Sequence, residues 1–270
     1  MSGMLNAIRS GVEALLWPFD QLPPWIGLTL VSLLSGIGML WFFGKTTPQR
    51  LVGLSRERMT AAIYEMRLFL DSPRRVLAST GRMLAWTGSY VITMMPAFIV
   101  LALPMGLLLL HMEPRYGLDP LPTGKDLFVL VQVDLTENAD GDALEIADTE
   151  HLKVLAGPLY AADEHRAFFN LHVVDPGEHL LKLKLGEHTV EKLVSAEPGQ
   201  IVAPTKASGA ALLWTIGAEA PVDPASGIEA ISIPHPDTER RWLGMPWWGY
   251  WLLVAMLAAI ALRKTFNVTF

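Results

Sequence analysis

The chain has 270 residues, of which 51% are hydrophobic and 18% charged. An ordinary soluble domain carries roughly 25% charge, so part of this chain is predicted to live in lipid. The formal charge of -6, with no long basic face, excludes a nucleic-acid partner, and the absence of Cys removes disulfides, thiolate catalysis and thiolate metal sites.

Residues 1–22 are predicted to form an amphipathic helix lying in the outer membrane interface. Leu5, Ile8, Val12, Leu15 and Leu16 recur at helical spacing opposite Asn6, Arg9 and Glu13, and Trp17-Pro18-Phe19 should end the run. Glu13, Asp20 and Pro23-Pro24 precede the first long apolar run. A cleavable signal peptide is therefore not expected there.

Three segments are apolar enough to cross a bilayer, whose core of about 30 Å needs about 20 helical residues. They are 25–44, 83–112 and 242–262. Trp25 and Trp41 bound the first, Pro96 and Pro104 mark expected kinks in the second, and an aromatic belt of Trp242, Trp247, Trp248, Tyr250 and Trp251 opens the third. Residues 45–82 hold eight basic and three acidic side chains, a net +5, whereas 113–243 hold 22 acids and 10 bases, a net -12. The positive-inside rule then places 45–82 and the tail 263–270, which begins Arg263-Lys264, in the cytoplasm, and the N-terminus and acidic region outside.

The cytoplasmic segment 45–82 reads as a helical hairpin. Leu51, Leu54, Met59, Ile63, Met66 and Leu70 are expected on one face of its first helix. After Asp71-Ser72-Pro73, Ser72 suits the N-cap and Pro73 the first position of a second helix that continues into the 83–112 span.

In the outer region 113–241 the period changes from 3.6 to 2. Strands are predicted at 127–133, 168–174, 181–185, 189–194, 211–216 and 228–233, with turns at 175–178 and 186–188 and a loop at 203–209. The fold class expected is thus membrane α-helical, with three spans and a cytoplasmic hairpin, carrying an inserted extracytoplasmic all-β sandwich of immunoglobulin-like style.

No phosphate loop, nucleophile elbow or His-Glu-x-x-His pair is present, so no enzyme, catalytic residue or cofactor is expected. His165, His172, His179 and His188 lie on or beside strands, and the reading preferred is surface histidines with no metal. The acidic stretch 134–142 lacks the spacing and terminal Glu of a calcium loop and reads as a solvated turn.

Within the spans the hydroxyls are unevenly placed. Thr29, Ser32 and Ser35 follow i, i+3 spacing, and Thr87, Ser89, Tyr90 and Thr93 fall in the half of the second span nearer the basic segment. Residues 97–110 carry no hydroxyl or amide side chain. Polar groups in lipid face other helices or a wet cavity. One reading is a cytoplasm-facing groove lined by Ser32, Ser35, Arg82, Thr87, Tyr90 and Thr93, with Met59, Met66 and Met94 offering adaptable apolar contact to nascent membrane-protein segments. The plainer reading is interhelical packing by the same Ser, Thr and Met residues.

The layout resembles the YidC-type insertase superfamily, and within it the three-span branch that includes the insertase subunit of the endoplasmic reticulum membrane complex and archaeal relatives. The residues carrying the resemblance are Trp41-Phe42-Phe43-Gly44 with Pro48-Gln49, the 63–71 stretch from Ile63-Tyr64-Glu65-Met66 to Asp71, Pro96, and Leu103-Pro104-Met105-Gly106-Leu107. It looks similar also to uncharacterised bacterial membrane proteins with an outer domain before the last span. The resemblance implies a bacterial inner-membrane, non-enzymatic insertase or membrane chaperone. The competing expectation is a structural or docking subunit that recruits an envelope partner through residues 113–241. Sensing by the outer domain is a third, without an output domain in the chain.

Overall fold

In a computed structural model of the chain, all residues are described except 1, 124–128, 138, 140, 148–150, 198–200, 210–218, 267 and 269–270. The molecule divides into two compact units, one made of Met1–Gly27 with Leu107–Trp247, the other of Leu28–Gly106 with Trp248–Phe270.

Among the described residues there are five α-helices: α1 Ser2–Asp20, α2 Pro24–Thr46, α3 Gln49–Leu68, α4 Pro73–Tyr116 and α5 Trp247–Leu262. Two of them, α2 and α4, are long and apolar enough to cross a membrane. At 1.5 Å per residue, the 23 residues of α2 and 44 of α4 run about 34 and 66 Å. Only 11% of the most apolar stretch of α4 is buried, which is unlike the core helix of a soluble protein. Its exposed side chains include Leu84, Ile92, Phe98, Ile99 and Leu103. Despite Pro96 and Pro104, at which kinks are expected, α4 is assigned as unbroken helix.

The third apolar helix is shorter than the 242–262 predicted. Trp242 and Met245 exchange backbone hydrogen bonds of 2.8 and 3.0 Å, and Leu243 and Gly244 both have positive φ, 52° and 79°. That tight turn diverts the chain, so α5 begins only at Trp247 and has 16 residues, about 24 Å. Pro18 does not end α1 as expected, and the helix reaches Asp20. So close to the last turn, a proline removes one N–H bond without preventing the turn from closing.

Within the helical unit, α3 buries a narrow stripe of Val52, Ser55 and Ala62, with Met59 and Met66 half-buried beside it. Leu51, Leu54, Ile63 and Leu70, predicted on the packed face, are exposed instead. Side-chain bonds tie α3 to α4, from Arg82 to Glu65 at 2.6 Å and from Thr80 to Met66 Sδ at 3.2 Å. As predicted, α4 starts at Pro73, with the Ser72 carbonyl accepting from Arg75 and Val76 N–H at 3.0 and 3.1 Å. An apolar cluster joins Leu40 and Phe43 of α2, Val52 of α3, Met94 and Ala97 of α4, and Val268 of the tail. The tail thus folds back onto the helices.

Among the described residues, the β part of the other unit contains eight strands in two antiparallel sheets. They are β1 Val129–Leu135, β2 Leu144–Ala147, β3 Leu152–Ala161, β4 Arg166–Val173, β5 Glu178–Leu185, β6 His188–Ser195, β7 Thr205–Ala207 and β8 Ile228–Ser232. One sheet has the order β3-β4-β1-β8-β7 and the other β2-β5-β6. Alternating residues of both sheets meet in one core, with Val131, Val133, Phe169 and Leu171 from the first and Leu181, Leu183, Val190 and Val194 from the second. The β5–β6 hairpin closes through Gly186-Glu187, with Gly186 at φ 61°.

Three strands escape the period-2 reading. The first, β2, has only four residues, and β3 is an edge strand bulged around Gly157-Pro158, so its pattern does not alternate. The third, β7, lies where a loop was expected at 203–209, paired with β8. Residues 127–128 of the first predicted strand, the strand expected at 211–216, and Asn138 and Asp140 of the acidic turn lie outside the described residues.

Candidate functional site

The hydroxyls of α2 do not converge on those of α4. Ser32 is fully buried and donates to the Leu28 carbonyl at 2.6 Å, and Ser35 donates to the Ser32 carbonyl at 3.0 Å. Ser35 Oγ in turn accepts from Trp251 Nε1 of α5 at 3.0 Å, and Thr29 meets the Tyr250 hydroxyl at 2.9 Å. One turn further, α2 and α5 are in backbone contact: a Cβ on Gly36 would lie 2.5 Å from the Ala255 carbonyl oxygen. The polar stripe of α2 is therefore a packing seam for α5, as small and hydroxyl residues commonly are between membrane helices.

On α4, Thr87 and Thr93 donate to the carbonyls of Met83 and Ser89, at 2.8 and 2.7 Å. Both bonds stay within their own helix. Tyr90 packs, partly buried, against the cluster that contains Met94. Arg82 reaches Glu65 of α3 at 2.6 Å and Ser79 at 3.1 Å, and that hydrogen bond holds the Glu65 carboxyl below the ordinary carboxylate range. Met66 Sδ accepts from Thr80 at 3.2 Å, and Met59 is half-buried on α3. Ser35 thus meets α5, Ser32 is buried and bonded within α2, Arg82 and Met66 link α3 to α4, and Met94 is in the apolar cluster.

The chemistry the sequence pattern missed lies in the other unit, where α1 splits its predicted apolar stripe and turns toward protein Arg9 and Glu13, which were expected on the side opposite that stripe. Leu5, Arg9 and Leu16 are buried, and Val12, Glu13 and Asp20 are half-buried, while Met4, Ile8, Leu15 and Trp17 are exposed. All three charged residues of the helix face inward because fixed partners meet them there. Arg115 of α4, with 4% of its side chain exposed, binds Glu13 at 2.5 Å and holds both oxygens of Asp20, at 2.8 and 3.2 Å. Its remaining nitrogen donates to the His111 carbonyl at 2.6 Å. His111 is fully buried, with Nδ1 on the Leu107 carbonyl at 2.8 Å and Nε2 3.7 Å from Glu13 Oε1.

A second group of charges continues this network into the sandwich. Arg9 Nη1 donates to the Glu219 carbonyl at 2.6 Å, and the Glu219 carboxylate binds Lys192 Nζ at 2.7 Å and Leu193 N–H at 2.5 Å. Lys192 occupies an inward position of β6 between Val190 and Val194, fully buried, and also donates to the carbonyls of Ala203 at 2.5 Å and Leu193 at 3.0 Å. Burial pulls the Lys192 amine below its ordinary value, with Glu219 opposing. His235, its Nδ1 on the Ile233 carbonyl at 2.9 Å, is pushed down to about 4 by burial.

This arrangement holds α1 against the sandwich: Glu13 and Asp20 pair with Arg115, Lys192 pairs with Glu219, and Arg9 is bonded to the Glu219 carbonyl. The sequence signal that finds it is a pair of acids and an arginine on an otherwise apolar helix, matched by Arg115 just past an apolar span. Elsewhere, His179 stacks on His151 at 4.9 Å, and His151 Nδ1 pairs with Asp175 at 3.0 Å. Among the described residues no group of three or more His, Asp or Glu is placed to hold a metal ion. No protein-family model, no curated protein and no solved structure matches this chain.

Proposed function

We propose that the chain is a membrane-anchored structural or docking subunit whose acidic sandwich recruits an envelope partner. The observation that carries this reading is the seam between α2 and α5. Ser32, Ser35 and Trp251 are bonded to protein, and Gly36 lies on the backbone of Ala255. Helices packed in this way suit an anchor better than a hydrated groove, because hydroxyls already bonded to protein offer little to a polar chain segment crossing lipid.

In this reading α2, α4 and α5 cross a bacterial inner membrane. The basic hairpin and tail lie in the cytoplasm, and α1 and the sandwich lie outside. At about 24 Å, α5 is shorter than a typical hydrocarbon core, a mismatch that local thinning and the Trp247-Trp248 and Arg263-Lys264 ends accommodate. The sandwich offers exposed Leu155 and Leu159 on the bulged β3 edge, apolar side chains of the sort that protein partners cover. The insertase reading asks instead for Arg82, Thr87 and Thr93 to meet a passing chain. Each of them is hydrogen-bonded within the hairpin or within α4.

The two readings separate by photocrosslinking of the full chain in cells. A crosslinker at Leu159 should yield an adduct with one discrete envelope protein, whereas one at Met94 should not trap nascent chains. Nascent-chain adducts at Met94, with none at Leu159, would reverse the assignment.

A further inference from the structure

We infer that α1 is seated in the outer headgroup–acyl boundary of the bilayer on the face carrying Met4, Ile8, Leu15 and Trp17, and that the Arg115 clamp thereby fastens the sandwich to the membrane surface. The inference rests on the reading that α2 and α4 cross the membrane, and deepens it by naming what covers a specific face.

Three observations support it. First, among the described residues the exposed arc of α1 carries no charged side chain. Arg9, Glu13 and Asp20 are each bound to the protein, and the polar groups described on that arc are the Ser10 hydroxyl and the Trp17 indole N–H. A helix bathed in water normally shows its charges to solvent, and this one shows its large apolar side chains. Second, the position is fixed. Three residues separate Asp20 from Pro24, and a Cβ at Gly27, in the first turns of α2, would lie 2.9 Å from the Phe19 carbonyl oxygen and 2.8 Å from the Tyr116 hydroxyl. The end of α1 therefore abuts the first turns of α2 and the last turn of α4, which the spanning reading puts at the outer bilayer surface. Third, aromatic groups suited to that level gather there, with Trp17 and Trp25 exposed and Tyr116 packed edge-on to Trp242 at 6.3 Å.

The occupant favoured is lipid rather than a protein partner, because an uncharged, shallow apolar arc beside the ends of the spans matches the acyl boundary and offers little beyond the Ser10 hydroxyl and the Trp17 indole for specific pairing. Seating by this face needs no anionic headgroup, so it should be insensitive to salt, unlike the basic interfacial helices that electrostatics hold to membranes.

The chain has no Cys, so single cysteines introduced by Ile8→Cys, Leu15→Cys, Ile99→Cys and Glu187→Cys take one fluorophore each. The labelled full chains are placed in zwitterionic phosphatidylcholine nanodiscs and quenched either by nitroxide-bearing lipid or by a water-soluble quencher. Labels at residues 8 and 15 are expected to be quenched by the lipid nitroxide about as strongly as at residue 99 and several-fold more than at the hairpin tip, residue 187. The ratio should not change between low and high salt. If labels 8 and 15 follow label 187 while label 99 stays in lipid, α1 lies in water and the inference fails with the spans intact. Protection of labels 8 and 15 from both quenchers means protein covers the face, which also overturns it. If label 99 is itself in water, the spanning reading and this inference fall together.

Discussion

Lys192 gives the sharpest test of the energetics. Its ammonium occupies a core position of β6, makes three hydrogen bonds and neutralises the Glu219 carboxylate at 2.7 Å. Lys192→Met fills much the same volume but leaves that carboxylate, with only 10% of its side chain exposed, facing the sandwich without its cation. Removing one partner of a buried pair costs about 3–5 kcal/mol, whereas replacing both by neutral groups of similar shape is often close to neutral. Lys192→Met is therefore expected to lower stability by about 3–5 kcal/mol, and Lys192→Met with Glu219→Gln to recover at least about half of that. With an unfolding entropy of about 2.1 cal/mol/K per residue over about 130 residues, the single variant should melt roughly 10–18 °C lower. Far-ultraviolet circular dichroism of the full chain in nanodiscs, following the β signal, measures this. A single variant within about 1 kcal/mol of the parent, or a double variant no better than the single one, would refute the reasoning.

Three further outcomes follow from the same structure. Gly36→Val should destabilise the α2–α5 seam by about 1–3 kcal/mol through overpacking, while Gly38→Val, with nothing within 4 Å of its Cβ, should not. Thermal denaturation in mild detergent compares them. His235 titrates near 4 in the folded protein against 6.5 unfolded, so the unfolded chain binds the extra proton between those values. Its contribution is therefore absent above about pH 6.5, and stability falls toward pH 4 by on the order of 2–3 kcal/mol. His235→Gln should flatten that slope in a pH series of denaturant melts. Gly157→Ala meets both a φ of 102° and the Phe168 carbonyl oxygen 2.7 Å from the new Cβ, whereas at Gly186, with φ 61°, the Cβ meets nothing within 4 Å. The first substitution should cost more than the second, about 3 against about 1 kcal/mol, in thermal melts of the β signal.

The function proposed turns on one distinction, between a hydroxyl that faces water and one that serves as packing. Ser35 illustrates it, since the same residue at the same depth lines a groove or receives an indole N–H depending only on where α5 lies. The Trp251 bond puts it in the second category.

What the sequence determined by itself was the division into apolar helices and a strand-rich insert, the start of α4 at Pro73, and four strands close to their observed bounds. Those features follow from local rules, because run length, proline position and period-2 alternation act within a few residues of one another. Tertiary structure alone decided which way α1 faces, since Arg9 and Glu13 read as the polar side of an interfacial helix until the Glu219 carbonyl and Arg115, 210 and 102 positions away, are brought to them. The same holds for Lys192, a charge in a core register that period-2 counting cannot predict. Such placements follow from electrostatic pairing between distant segments, and a helical or strand period carries no information about the partner that will meet it.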